Sequence, residues 1–163
     1  MDTVYIETTI PSYLTAWPAN NLIAAAHQAL TREWWELRRH YFELFTSQLT
    51  ILEASAGDAA AAQLRLDALR GIPLLSSSES VEWIADNLER LKLVPAGAAA
   101  DGFHIAYSAV HQMRYLLTWN CKHIANAERL PAVESFLAEN GYHVPIVCTP
   151  EELMGDVFDD ASH

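Results

Sequence analysis

The chain has 163 residues with a formal net charge of −11, and 51% of its residues are hydrophobic. This length suits one domain with a proper core, and we expect a single domain over residues 1–155 followed by a loose tail over 156–163. The acidic balance argues against tight, non-specific nucleic-acid binding through a broad basic surface, because phosphate contacts need Lys and Arg. Catalysis on nucleic acid with metal ions masking the acids, or docking of a basic protein partner, is compatible with it.

The sequence shows no targeting or membrane signal. No apolar run approaches the ~20 residues that a membrane helix needs, and no basic segment precedes an apolar one. We therefore expect neither a membrane span nor a signal peptide. The two cysteines, Cys121 and Cys148, have no metal-binding or redox spacing. Reduced thiols in a cytoplasmic protein are the simplest interpretation, and a bridge between the two is the alternative.

Short apolar runs alternate with segments of helical spacing along the chain. The predicted strands are Val4–Ile6, Tyr41–Thr46, Leu116–Thr118 and Pro145–Val147, with Pro73–Leu75 as a minor candidate. The predicted helices run from Ile10 to Leu14, from a cap at Asn20 to Arg38, from Ser47, from Asp58 to Arg70, from Ser77 or Ser78, from Ala98, and from Leu130 to Asn140. This alternation predicts an α/β fold: three α/β/α layers with a mostly parallel central sheet covered on both faces.

Polar residues stand where the predicted strands end and helices begin. Glu7 closes the first strand, and Asn120 follows the Leu116–Thr118 strand. Asp101 lies in the first turn of the preceding helix, and Glu53 lies on an early turn of the helix after the second strand. Ligands of open parallel sheets bind beyond the carboxyl ends of the strands, and Mg²⁺ favours oxygen ligands. We predict that these four side chains converge on one crevice, where a cation would relieve the repulsion between carboxylates.

Each of these residues also has a simpler interpretation. Glu7 can favour the N-terminus of the following helix by its charge, and Asp101 can do the same at its own helix. Glu53 can be a solvated helix residue, the usual location of Glu, and Asn120 can be a turn residue. Taken singly, these alternatives are the better interpretations.

The order of these residues resembles the PIN-domain family of metal-dependent ribonucleases, and within it the VapC-like toxins of prokaryotic toxin–antitoxin systems. The matching stretches are spread over nearly the whole domain: Val4–Thr8, Ser47–Glu53, Asp101–Ala109 and Leu116–Asn120. The family pattern is an Asp after strand one, a Glu on a helix, an Asp opening a later helix, and Thr-x-Asp after a strand. Matches in this order favour a site over separate coincidences.

The resemblance implies a PIN-like fold and an endoribonuclease that hydrolyses RNA phosphodiester bonds with Mg²⁺ or Mn²⁺. The implied catalytic residues are Glu7, Glu53, Asp101 and Asn120, and the implied metal ligands are Glu7, Asp101 and Asn120. Glu53 would position the attacking water or a second ion. The resemblance also implies a homodimer, with a cognate antitoxin protein as a further partner.

Departures from the family pattern bear on the strength of this site. Glu7 stands where the family usually has Asp, Asn120 stands where it usually has the last Asp, and Lys122 replaces an acid often present. With fewer carboxylates than the family pattern, the site is expected to bind cations more weakly. A catalytically impaired PIN-like interaction module is the alternative function. A small-molecule phosphohydrolase is weaker, and neither G-x-G-x-x-G nor a P-loop motif is present.

Neighbouring residues have supporting roles in this interpretation. Thr8 and Thr118 are expected to orient Glu7 and a water by their hydroxyl groups, or else to reflect ordinary strand propensity and helix capping. His104 comes one turn after Asp101. It contacts phosphate or a metal-bound water in the functional interpretation. In the alternative, which is favoured, it is a hydrogen-bonded, half-buried histidine.

Three tryptophans invite comparison with residues that stack on nucleic-acid bases. Trp34 fits the apolar face of its predicted helix and is expected in the core. Trp35 lies off that face and is expected to support a dimer or antitoxin surface. Trp119, beside Asn120, is expected to flank the crevice.

Overall fold

The computed structural model describes residues 1–156, so the tail expected from 156 onward lies outside the described residues apart from Asp156. The strands are β1 Asp2–Ile6, β2 Phe42–Ser47, β3 Leu74–Leu75, β4 Tyr115–Leu117 and β5 Ile146–Cys148. The helices are α1 Thr9–Thr15, α2 Leu22–Leu37, α3 Gln48–Ala54, α4 Ala59–Leu69, α5 Glu79–Arg90, α6 Ala99–Val110 and α7 Leu130–Glu139. The predicted α/β class, with a central sheet flanked by helices, is confirmed.

The five described strands form one sheet in the order β3-β2-β1-β4-β5, and every pairing is parallel. The chain builds outward from β1 to β3 and then returns to the other side of β1 with β4. The register pairs Ile6 with Leu117, so β1 and β4 end side by side. Because strand order reverses between β1 and β4, their carboxyl ends open onto the crevice in which ligands of such sheets bind.

Alternate residues of β1 pack on opposite faces of the sheet, as the period of a strand requires. Tyr5 joins a core formed with α5, α6 and α7, whereas Val4 and Ile6 join a second core formed with α1, α2 and α4. All three side chains are fully buried. Burial on both sides explains why this strand has a continuous apolar run rather than alternating polar and apolar residues.

Side-chain caps fix several of the helix starts. Ser47, Asp58 and Ser78 accept hydrogen bonds from backbone N–H groups at the starts of α3, α4 and α5, as predicted for the first two and as one of two choices for the third. The predicted cap at Asn20 is wrong. Asn21 caps α2, because its Oδ1 accepts from the N–H of Ala24 at 3.1 Å.

The predicted strand boundaries shift by one residue at most ends, and β1 begins two residues earlier, at Asp2. β2 begins at Phe42 because Arg39–Tyr41 form a 3₁₀ turn. β4 ends at Leu117, which leaves Thr118 just beyond the strand. β5 begins at Ile146, whose N–H donates to the carbonyl of Arg114 at 2.8 Å, a bond that the preceding proline cannot make. The shift at Thr118 matters for function, since its hydroxyl serves the site.

Candidate functional site

The predicted site residues lie at the carboxyl end of the sheet, beside the point where strand order reverses. Glu7 follows β1 directly, and its N–H donates to the carbonyl of Leu117 at 3.2 Å. Asn120 comes shortly after β4, and Asp101 lies in the first turn of α6. Glu53 lies in the last turn of α3 rather than an early one, because α3 has only seven residues. Four segments distant in sequence therefore supply one edge of the sheet.

The carboxylate of Glu7 is only 4% exposed and is held by hydroxyl and backbone donors. Its Oε2 accepts from Thr9 N at 3.0 Å, from Thr9 Oγ1 at 2.5 Å and from Thr118 Oγ1 at 2.8 Å. No described residue donates to its Oε1. Thr9 is the first residue of α1, so Glu7 accepts a hydrogen bond from the N-terminus of that helix. The bond from Thr118 connects Glu7 to the residue that follows β4.

The carboxylate of Glu53 is held by Thr8 and His104. Thr8 Oγ1 donates to Glu53 Oε1 at 2.6 Å, and His104 Nε2 lies 2.6 Å from the same oxygen. Thr8 therefore orients Glu53 rather than Glu7. Burial by itself would raise the pKa of Glu53, but the hydrogen bonds from His104 and from the hydroxyl of Thr8 lower it below its ordinary value.

His104 is fully buried, not half-buried, and its side chain does not reach solvent. Its Nδ1 lies 2.7 Å from the hydroxyl of Tyr5, which in turn lies 2.7 Å from Ser47 Oγ. Burial raises the pKa of Tyr5, and hydrogen bonds to Ser47 and Thr50 offset only part of this rise. His104 therefore contacts the site only through its bond to Glu53. On its other side, it is hydrogen-bonded to the buried hydroxyl groups of Tyr5 and Ser47.

Asp101 forms a second polar cluster with Asn120 and His123. Asn120 Nδ2 donates to Asp101 Oδ1 at 3.1 Å, and His123 Nδ1 lies 2.9 Å from Asp101 Oδ2. Asn120 Oδ1 accepts from the backbone N–H of His123 at 3.0 Å. Asn120 thus makes the hydrogen bond of a turn residue and a contact with a site carboxylate at the same time.

Hydrogen bonds connect these groups across the end of β1. Thr118 Oγ1 accepts from the N–H of Asn120 at 2.9 Å and donates to Glu7. This links the Asp101 cluster to Glu7. Glu53 makes no hydrogen bond to that cluster or to Glu7; it bonds to Thr8, the residue next to Glu7 in the chain. The convergence of all four side chains on one crevice therefore stays a prediction. The carboxylates of these residues already accept hydrogen bonds from protein donors. Repulsion between the carboxylates is therefore not sufficient reason to expect a bound cation.

The donors at this edge are of the type that Mg²⁺ or Mn²⁺ prefers, since they are carboxylate and amide oxygens. Glu7 Oε1 and Glu53 Oε2 receive no hydrogen bond from any described residue, and the oxygens of Asp101 each keep a lone pair. No set of three His, Cys, Asp or Glu side chains within residues 1–156 is arranged to hold a metal ion. The oxygen atoms available are of the type that binds a hard cation, but the described residues do not form a complete, preformed set of metal ligands.

The residues of these clusters that sequence reasoning missed include Thr9, Tyr5 and His123. His123 lies in the polar cluster after β4, three residues beyond Asn120, and that position was a usable signal. Tyr5 stands in an apolar strand and looks like an ordinary core residue. The only signal there is general: a buried tyrosine hydroxyl needs a hydrogen-bond partner.

The three tryptophans differ in how far they match expectation. Trp34 is fully buried, as predicted, and its Nε1 donates to the carbonyl of Leu153 at 3.2 Å. Trp119 is only 7% exposed, so it does not offer a face to a nucleic-acid base at the crevice. Its indole stacks on His27 with ring centroids 3.9 Å apart, and its Nε1 donates to Thr31.

No protein-family model matches the chain, and no curated protein matches it significantly. The resemblance to PIN domains therefore rests on the residue pattern alone. Within residues 1–156, no helix is both long enough and apolar enough to cross a membrane. Cys121 and Cys148 are both free thiols, the first exposed and the second buried.

Proposed function

We propose that this chain is a Mg²⁺- or Mn²⁺-dependent endoribonuclease of the PIN type. The observation that carries the proposal is that Glu7, Asp101 and Asn120 are joined by hydrogen bonds beside the β1–β4 switch point, while Glu53 bonds to Thr8, the neighbour of Glu7. These residues come from four separate segments, and each stands where the family pattern requires a polar residue. A solvated helix face or a simple cap does not explain why Glu7, Asp101 and Asn120 are linked and why Glu53 is bonded to the neighbour of Glu7.

The residues divide into two roles. Glu7 and Asp101 supply the charged ligands, and Asn120 supplies a neutral oxygen that keeps one lone pair beside its bond to His123. A bound divalent cation would polarise the phosphate and lower the pKa of a coordinated water. Glu53 orients that water through its Oε2, because its other oxygen is already taken by Thr8 and His104.

An impaired, PIN-like interaction module is the second candidate, and one observation favours it. Asp101 is already paired with Asn120 and His123, and Glu7 Oε2 already accepts from Thr9 and Thr118. A network that is satisfied without a cation can persist as a structural unit. Under this proposal the acidic surface, with a net charge of −11, would dock a basic partner.

A calorimetric Mn²⁺ titration together with an RNA cleavage assay separates the two candidates. Wild-type protein that binds Mn²⁺ and cleaves RNA, with both properties lost in Asp101→Asn, supports the nuclease. Asp86→Asn is the matched control, because Asp86 is an exposed acid on the outer face of α5. Absence of binding at millimolar Mn²⁺ supports the interaction module instead.

The assembly and location are part of the same proposal. A homodimer and a basic antitoxin follow from the resemblance. Trp35, expected to support that surface, is partly buried against the core, with the guanidinium of Arg39 over its ring. Exposed apolar residues in and just before α2 include Trp17, Leu22 and Ile23. Sedimentation at micromolar concentration tests the dimer, and an 18 kDa-class monomer would contradict it. The two free thiols support a reducing, cytoplasmic location.

A further inference from the structure

We propose that Tyr5 and His104 are positioning residues that hold Glu53 as an oriented carboxylate with its Oε2 free. The hydrogen bonds would all run in one direction: Ser47 donates to Tyr5, Tyr5 donates to His104 Nδ1, and His104 Nε2 donates to Glu53 Oε1. We call this donor-to-acceptor sequence the proton order. The catalytic consequence of this arrangement rests on the proposed nuclease function, whereas the arrangement itself does not.

The geometry at Glu53 gives its two oxygens different roles. Oε1 accepts from Thr8 Oγ1 and faces His104 Nε2, each at 2.6 Å, whereas no described residue donates to Oε2. The side chain of Glu53 is 34% exposed, while that of His104 is 0% exposed. The histidine thus supports the carboxylate from inside the protein, and Oε2 is the oxygen left to accept a proton or bind a water.

The proton order follows from the donors and acceptors available. An ionised carboxylate only accepts, so His104 Nε2 must carry a proton to bond with Glu53. Tyr5 then donates to Nδ1 at 2.7 Å, because a phenol keeps its proton at neutral pH and the second nitrogen of a neutral imidazole accepts. Ser47 Oγ lies 2.7 Å from the hydroxyl of Tyr5 and donates to it, while also accepting from the N–H of Thr50 at 3.4 Å.

The surroundings leave the histidine as the main partner of Glu53. No Lys or Arg among the described residues pairs with Glu53 or with a member of this chain of bonds. The other titratable groups that act on Tyr5 are Glu7 and Tyr107, and both raise its pKa. Tyr107 stacks on Tyr5 with ring centroids 6.3 Å apart, but it makes no hydrogen bond within the chain of groups.

Nuclear magnetic resonance tests the arrangement without any need for activity. Nitrogen shifts of His104 at neutral pH are expected to show a proton on Nε2 and none on Nδ1. Carboxyl shifts of Glu53, assigned with Glu53→Gln, are expected to titrate below the ordinary value of 4.5. A doubly protonated imidazole would overturn the proton order, and an ordinary Glu53 titration would overturn the support of Glu53 by His104.

Variants separate positioning from simple packing. His104→Leu is expected to raise the proton affinity of Glu53 about tenfold, the size expected when one charge-assisted hydrogen bond is lost. Tyr5→Phe is more conservative, and we expect a smaller rise in the same direction. Tyr107→Phe and His143→Leu are matched controls, because they remove the same kinds of group outside this chain of bonds and should leave Glu53 unchanged.

The cleavage assay then tests the catalytic consequence. If the protein cleaves RNA, Tyr5→Phe should lower kcat with little change in KM, and it should shift the acid limb of the pH profile upward. A change in KM alone, or an unshifted profile, would contradict the positioning role. If the wild type cleaves no RNA, the nuclease proposal fails, while the resonance experiment still decides whether Tyr5 and His104 hold Glu53.

Discussion

Two carboxylate–histidine pairs stand at the same edge of the sheet, and they are built in opposite ways. In the Glu53–His104 pair the histidine is fully buried and the carboxylate is 34% exposed. In the Asp101–His123 pair the carboxylate is 15% exposed and the histidine 28%. His104 is bonded at both nitrogens, whereas His123 is bonded through Nδ1 alone within the described residues.

Because the buried member differs between the two pairs, the two pairs differ in how easily the histidine can leave the carboxylate. A histidine locked between two partners cannot leave its carboxylate without exposing buried polar groups, so the Glu53 pair is a fixed unit. His123 can move away at little cost, because its side chain already meets solvent. The Asp101 pair is therefore the one that can exchange its histidine for a cation, and the Glu53 pair is the one that can present a constant oxygen.

The largest expected effect comes from Glu53→Gln. Under the proposed nuclease function, RNA cleavage in Mn²⁺ should fall by roughly 10²–10⁴-fold, because the variant would remove the group proposed to orient and deprotonate water. Mn²⁺ affinity, measured by calorimetry, should stay near the wild-type value, in contrast to its loss in Asp101→Asn. Glu82→Gln, on the exposed face of α5, is the control. Equal loss of Mn²⁺ affinity in Glu53→Gln and Asp101→Asn would erase the distinction between the pairs.

The two histidines should differ in their contribution to stability. His104→Ala should lower the free energy of unfolding by roughly 2–4 kcal/mol, because it leaves a cavity and removes a partner from Tyr5 and from Glu53. His123→Ala should cost less than about 1 kcal/mol, as expected for a partly exposed pair. Urea unfolding of both variants gives the comparison. Similar losses in the two would show that burial does not separate them.

Asn120→Asp tests whether the Asp101 pair belongs to a cation site. The variant adds a charge next to Asp101, so Mn²⁺ binding should strengthen by on the order of 1–3 kcal/mol. Without metal the same charge should destabilise the fold, because Asp101 Oδ1 would lose the donor that Asn120 Nδ2 provides. Calorimetry and thermal unfolding with and without Mn²⁺ measure both effects. Unchanged affinity would leave Asn120 as a turn residue only.

The smallest expected effect is a pH dependence of stability from Glu53. Its pKa is lower in the folded protein than the ordinary 4.5, so its ionised form contributes stability above about that pH. This contribution is lost as the pH falls through the lowered folded value. The stability difference between wild type and Glu53→Gln should therefore be constant near neutral pH and shrink in acid. A difference that grows as the pH falls would contradict the direction of the shift.

The sheet was predictable because its signals are local. Continuous apolar runs such as Val4–Ile6 report burial on both faces, and Ser47 and Asp58 are strong helix caps at the ends of such runs. The errors were local too. Asn20 and Asn21 are adjacent residues of the same type, and only the position of the first helical residue decides which one caps α2.

The partners within the site were not predictable in the same way. The contact between Tyr5 and His104 joins residues 99 positions apart, and neither side chain shows its partner in the sequence. Glu53, Asp101 and Asn120 could be placed on one edge from strand and helix positions. That Thr8 serves Glu53, and that His123 closes on Asp101, depends on side-chain directions that only the packed helices define.

Because β1 lies at the centre of the sheet, it pairs with a strand that is synthesised much later, and this affects when the newly made protein can fold. The bond between Thr118 and Glu7 spans 111 positions, so the ribosome must synthesise most of the chain before it can form. At a translation rate of about 5–20 residues per second, β4 is synthesised at least several seconds after β1. A nascent chain of this protein therefore lacks the bond between Glu7 and Thr118 until residue 118 has been synthesised.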